Sequence, residues 1–109
     1  MAKEYRKLAQ KIPINALLGE DLSEQEYRES LEEFYHYIDL SNEQVFLRQE
    51  KRVSEATWNN WRDGIKSNLS KPAFRKAWEE IKSRAPGSFT ELRQLEDTEF
   101  TQDPVRFKN

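Results

Sequence analysis

The sequence has no cysteine, one histidine, three glycines and four prolines, and no apolar run longer than the three residues of Ala16-Leu17-Leu18 or Val45-Phe46-Leu47. Without thiols there can be no disulfide, iron–sulfur cluster, thiolate zinc site or cysteine nucleophile, so packing must hold the fold. A membrane-spanning helix needs about 20 consecutive apolar residues and a signal-peptide core about 7 to 15, so neither is expected in the chain as written. The glycines stand at Gly19, Gly64 and Gly87, a spacing in which neither a phosphate-binding P-loop nor a dinucleotide fingerprint can be written. A two-histidine metal site cannot form within one chain, and a Ser-His-Asp arrangement would have to use His36. Glu33 and His36 make half of the Glu-x-x-His pattern of di-metal carboxylate bundles, which need a second pair and further inward carboxylates. The simpler reading is a half-exposed histidine beside neighbouring glutamates. No catalytic residue, cofactor or metal is assigned, and the chain is read as a non-enzyme.

What is present is aromatic and charged. A length of 109 residues suits one small domain. Three Trp, four Tyr and six Phe supply much of its apolar area, and each buried Phe or Leu side chain contributes about 1.5–3 kcal/mol. The formal net charge is only −2, but it is unevenly placed. Residues 1–19 carry four bases and one acid, a net of +3; residues 20–55 carry four bases and eleven acids, a net of −7. Residues 56–84 carry seven bases and three acids, a net of +4; residues 85–109 carry three bases and five acids, a net of −2. Segments of opposite sign should attract weakly, by about 0–1 kcal/mol for each exposed pair.

The sparse Gly and Pro fall at Gly19, Pro72 and Pro86-Gly87, which predicts long helices joined by short turns. Ser23 with Glu26 forms a capping box that opens the longest helix. Tyr27, Leu31, Phe34, Tyr35, Ile38, Val45 and Phe46 then recur at helical spacing to about Lys51, with a bend or local break expected at Asp39 to Asn42. Ser54 caps a second helix over Glu55 to about Asn68 that carries Trp58, Trp61, Ile65 and Leu69. Its interior Gly64 costs about 1 kcal/mol relative to Ala, which predicts a close approach by another backbone or a Trp ring. Pro72 starts a third helix through Phe74, Ala77, Trp78 and Ile81 to about Arg84. Ser88 with Glu91 suggests a second capping box before Phe89, Leu92 and Leu95. No alternating pattern long enough for a strand and no internal repeat is present. The expected fold class is all-α, a small bundle of three principal helices plus a short C-terminal helix. Residues 1–22 read as a basic, partly helical N-terminal segment that packs or frays, and 23–96 as the bundle. Residues 97–109 read as a flexible tail unless Phe100 and Phe107 find a pocket.

Two surfaces could bind a charged partner. Arg62, Lys66, Lys71, Arg75 and Lys76, followed by Lys82 and Arg84, interleave with Trp58, Trp61, Phe74 and Trp78, the mixture used for phosphate contact and base stacking. The segment 56–84 is therefore the alternative reading, a nucleic-acid-binding helical domain. Against it, the aromatic positions follow core spacing and the acidic helix can neutralise the same bases. Lys3, Arg6, Lys7 and Lys11, interleaved with Tyr5, Leu8 and Ile12, form a short basic amphipathic patch suited to anionic lipid, although one such patch does not anchor a protein stably.

Asp39-Leu40-Ser41-Asn42-Glu43, Thr57-Trp58 with Trp61, Gly64-Ile65, Asn68-Leu69, and Pro72-Ala73-Phe74 with Ala77-Trp78 resemble a bacterial domain family of uncharacterised function. Many of its members place a small helical cytosolic domain after one or two N-terminal transmembrane helices. The likeness is strong over about 40% of the chain, from Tyr37 to Trp78, and implies a bacterial cytosolic protein, or one held at the inner face of the membrane. A missing N-terminal anchor would make Lys3 to Lys11 a positive-inside flank. The family supplies no activity and no site residues. The resulting expectation is a non-catalytic interaction or regulatory domain that binds a protein partner or a second copy of itself. Phe46, Trp58 and Trp61 are the candidate apolar surface, and Asn42, Glu43 and Asn68 mark a candidate polar network or pocket.

Overall fold

Ser23 opens the longest helix as its capping box requires. Its hydroxyl accepts the Glu26 amide at 3.1 Å while its own amide donates to the Glu26 carboxylate at 3.1 Å. The computed structural model describes residues 2–107. The described residues form six α-helices and no strand: α1 (Ala2–Lys11), α2 (Ile14–Leu17), α3 (Glu24–Gln49), α4 (Glu55–Leu69), α5 (Pro72–Arg84) and α6 (Thr90–Asp97), followed by a 3-10 turn at Pro104–Arg106. The fold is all-α. Among the described residues no helix is long and apolar enough to cross a membrane.

α3 is the central element, contacted by α1, α4, α5, α6 and the 3-10 turn. Tyr27, Phe34, Ile38 and Val45 give it one buried line, against which α4 brings Trp58, Ile65 and Leu69 and α5 brings Phe74, Ala77 and Trp78. Phe34 and Tyr37 each meet the Phe74 ring edge-on, with centroids 5.1 and 5.2 Å apart, an arrangement that adds about 0.5–1.5 kcal/mol beyond the buried area. Opposite charges do join α3 to α5, though in both senses. Lys76 meets Glu24 at 3.0 Å, while Glu80 receives Arg28 at 3.0 Å and the Tyr27 hydroxyl at 2.8 Å.

Three expectations are corrected. α3 is unbroken through Asp39 to Asn42, because Leu40 and Ser41 are buried and their packing outweighs the competing backbone bonds of Asp39, Ser41 and Asn42. It stops two residues before Lys51, which takes φ 59. The Lys51 and Arg52 amides then donate to Arg48 O at 2.9 Å and Leu47 O at 2.8 Å, a Schellman ending with Lys where Gly is usual. Ser88 caps nothing: α6 starts after Phe89, which holds the left-handed φ 56. The Phe89 ring sits 5.5 Å from Tyr35 and 6.4 Å from Trp78, contacts that offset the backbone strain.

The segments on either side of the bundle join the core. Ile12 and Ala16 are buried in it, and Phe100 and Phe107 pack against it, which is the condition under which the tail was expected to settle. Asp103 closes that end, accepting Arg48 Nε at 2.9 Å and Nη2 at 2.8 Å while Arg48 Nη1 donates to Val53 O at 2.9 Å.

Candidate functional site

A cleft of about 300 Å³ opens where α1, α3 and α4 meet, with Tyr5 on one wall, Tyr37 and Gln44 on a second, and Asn60, Trp61, Gly64, Ile65 and Asn68 on the third. The local reason is helical spacing. Trp58, Ile65 and Leu69 lie on one line of α4 and are buried, whereas Trp61, three residues after Trp58, falls at the edge of that line. Trp61 is therefore only partly buried and faces the opening.

Asn68 organises the floor. Its Nδ2 donates to Tyr37 Oη at 3.0 Å and to Tyr5 Oη at 3.3 Å, and its Oδ1 accepts Lys71 Nζ at 2.8 Å. Both ends of the buried Asn68 amide are thus paired, with Tyr5 and Lys71 reaching it from partly exposed positions, an arrangement that fixes side chains rather than leaving them to find water. Burial pushes the Tyr37 hydroxyl up to about 12, against a partial downward pull from the Asn68 hydrogen bond. Tyr37 thus keeps its proton at neutral pH.

Gly64 answers its sequence expectation in the negative: a Cβ at that position would meet no heavy atom within 4 Å. Among the described residues no Trp ring and no second backbone presses on it. Its cost in helix stability serves no packing need, and the space above it belongs to the cleft.

The sequence candidates are dispersed. Asn68 and Trp61 share the cleft. Trp58 is 1% exposed and belongs to the core, so it offers no surface; its indole N–H meets no acceptor among the described residues. Phe46 is 40% exposed, but it follows Tyr37 by nine residues, about 180° around α3, so it lies on the opposite flank from the cleft. Asn42 points elsewhere too, hydrogen-bonding Leu92 N and Glu91 on α6, and Glu43 is exposed to solvent. Gln44, Asn60 and Tyr5 were not foreseen. The signal for Asn60 lay in its i, i+4 step to Gly64 and that for Gln44 in its seven-residue step from Tyr37, while Tyr5 carried none.

Most bases of the nucleic-acid reading are tied up. Arg62 pairs with Asp63 at 3.3 Å, Arg75 with Glu79 and Glu96 at 3.2 Å each, and Lys76 with Glu24 while standing 4.3 Å above the Tyr27 ring. Lys71 serves Asn68, and Lys66 is exposed. His36 is exposed and meets Tyr35 edge-on at 6.3 Å. Among the described residues no group of three or more His, Cys, Asp or Glu could hold a metal ion. A second cleft of about 290 Å³ between α3 and α5 is lined by Tyr35, Glu80 and Arg84 among others. Its carboxylate, Glu80, is already taken by Tyr27, Arg28 and Arg84.

No family model, no curated protein and no solved structure matches the chain.

Proposed function

We propose that the chain is a non-catalytic interaction or regulatory domain whose cleft between α1, α3 and α4 receives an aromatic or long aliphatic side chain of a protein partner. In this reading three principal helices, α3, α4 and α5, form a frame and α1 closes one wall of the receptor. The observation that carries it is Gly64: a helix-interior glycine costs about 1 kcal/mol, no described residue comes within 4 Å of where its Cβ would stand, and it lines an opening walled by Trp61 and Tyr5. A partner group seated there would supply the close approach that the fold does not. Gln44 and Asn60 on the rim offer amide donors and acceptors for the partner's backbone, the usual division between apolar anchor and orienting polar groups. Binding is favoured over catalysis because, among the described residues, no carboxylate or imidazole lines the cleft and Tyr37 is held protonated. That the domain works in a bacterial cytosol or beside its membrane rests on the family likeness.

The test uses N-acetyltryptophanamide as an anchor mimic, titrated into the labelled protein and followed by NMR. Shifts confined to the Gly64 amide, the Trp61 indole and the Asn60 and Gln44 side-chain amides are expected. Gly64→Leu, which fills the opening, should abolish them. Shifts of equal size in that variant, or shifts located on other faces, would refute the reading.

A further inference from the structure

We propose that copies of this chain associate through two outward stripes of opposite charge, the basic face of α1 in one copy lying against the acidic face of α3 in the next. Successive helical residues are about 100° apart. Measured around α3 from buried Tyr27, Glu29, Glu32, Asp39, Glu43 and Glu50 fall between about 120° and 200°, opposite the line of Tyr27, Phe34 and Val45. All five are exposed, and no Lys or Arg falls in that sector. At 1.5 Å per residue the stripe runs for about 31 Å. On α1, Lys3, Arg6 and Lys7 share the face opposite buried Ile12, with Lys11 at its edge, and all four are exposed.

These nine charges contrast with the bases of α5. Among the described residues none of them enters an ion pair, whereas Arg75, Lys76, Lys82 and Arg84 on α5 each have a carboxylate partner. α1 packs on α3 through their buried faces, so the two stripes of one copy both face solvent and cannot neutralise each other. A second copy can supply what each lacks.

Apolar side chains flank both stripes. Tyr35 and Phe46, at about 80° and 100° on the same scale, are 44% and 40% exposed beside the acidic stripe. Ile14 and Leu18, one turn apart and shortly after Lys11, are 65% and 67% exposed. Charge would set orientation and these side chains would supply burial, the division expected of a specific interface. An anionic bilayer fits the site less well: it would match α1 but be repelled by Glu20 and Asp21, which follow Leu18 and are exposed. Because different stripes meet, the contact is either made twice about a two-fold axis, giving an isologous dimer, or made once per neighbour, giving a heterologous ring or longer assembly. Exposed ion pairs are individually weak, so association is weak and salt-sensitive. The contact uses neither Gly64 nor Trp61, and so stands or falls apart from the cleft.

Sedimentation velocity tests it. At low salt the average mass should rise above the 13.1 kDa monomer with increasing concentration, and return to it at about 0.5 M salt. Reversing one stripe, by Lys3→Glu, Arg6→Glu and Lys7→Glu together or by Glu32→Lys, Asp39→Lys and Glu43→Lys together, should leave each variant monomeric with its helical circular dichroism intact. Mixing the two variants should restore association, because each now carries the stripe the other lost. The single reversals Lys7→Glu and Glu43→Lys, milder still, should each weaken self-association about five-fold. A wild type that stays monomeric at low salt, or a mixture that does, overturns the proposal. So does binding of the monomeric wild type to phosphatidylglycerol vesicles without self-association, which would give α1 to lipid.

Discussion

Asn42 caps a helix fifty residues away: its Oδ1 accepts the Leu92 amide at 2.9 Å, and its Nδ2 donates to the Glu91 carboxylate at 3.2 Å. Leu92 is the third residue of α6, whose own start, Phe89, has no side chain able to cap it. Asn42→Ala should therefore cost about 1–2 kcal/mol, the usual penalty for a lost N-cap. The loss should be read by chemical denaturation, with amide exchange rising first in α6. A variant with unchanged α6 protection would mean that the helix is held by Leu92 and Leu95 packing.

Arg48 and Asp103 tie the last described turn to α3. The Arg48 guanidinium holds the Asp103 carboxyl below its ordinary range. A lowered folded value means that the stabilisation is present above the unfolded value and is lost as pH falls through the folded one. Protection of residues 98–107 should accordingly decay below about pH 4. Asp103→Asn should show the same loosening at neutral pH, with limited proteolysis cutting near Thr101 before the bundle opens. Equal proteolysis of variant and wild type would show that Phe100 and Phe107 hold the segment without the ion pair.

Tyr37 makes the opposite prediction at alkaline pH. Burial raises its hydroxyl to about 12 and, with help from Glu80, raises that of Tyr27 as well. A raised folded value means stability that is full below the unfolded value of about 10 and lost as pH climbs towards the folded one. Unfolding free energy should fall steeply between about pH 10 and 12, with phenolate absorbance following the unfolding transition. Tyr37→Phe should flatten that fall, and an unaltered pH profile would locate the loss elsewhere.

Lys51 and Glu99 occupy left-handed positions just past α3 and α6, with φ of 59 and 58. Glycine suits that conformation and a side chain does not. Lys51→Gly and Glu99→Gly should each raise stability by about 1 kcal/mol. Gly64→Ala should add a similar amount, about 1 kcal/mol, by helix propensity. Thermal and urea denaturation of the single and combined variants would decide this.

Much of the frame was legible because its signals act within a turn or two. Ser23 and Ser54 accept the amides three residues ahead of them, and Pro72 begins α5. The Tyr27-Phe34-Val45 and Trp58-Ile65-Leu69 lines are buried as their spacing requires. The site was legible only in part. Asn68 and Trp61 do meet in one cleft, but Trp58 could be separated from Trp61 only by knowing which edge of α4 the core covers. Phe46 and Asn42 were grouped with them by character, and α3 turns both elsewhere.

By itself, the order of residues determined that the chain is helical, where its longer helices begin and which side of each is apolar, because propensity, capping and periodicity depend on near neighbours. Tertiary structure decided that α3 runs straight through Asp39 to Asn42, that Asn42 rather than Ser88 caps α6, that the tail is fastened to Arg48, and that Gly64 faces empty space. Each of these depends on groups brought together across a folded chain, where one buried contact outweighs the few tenths of a kcal/mol by which local preferences differ.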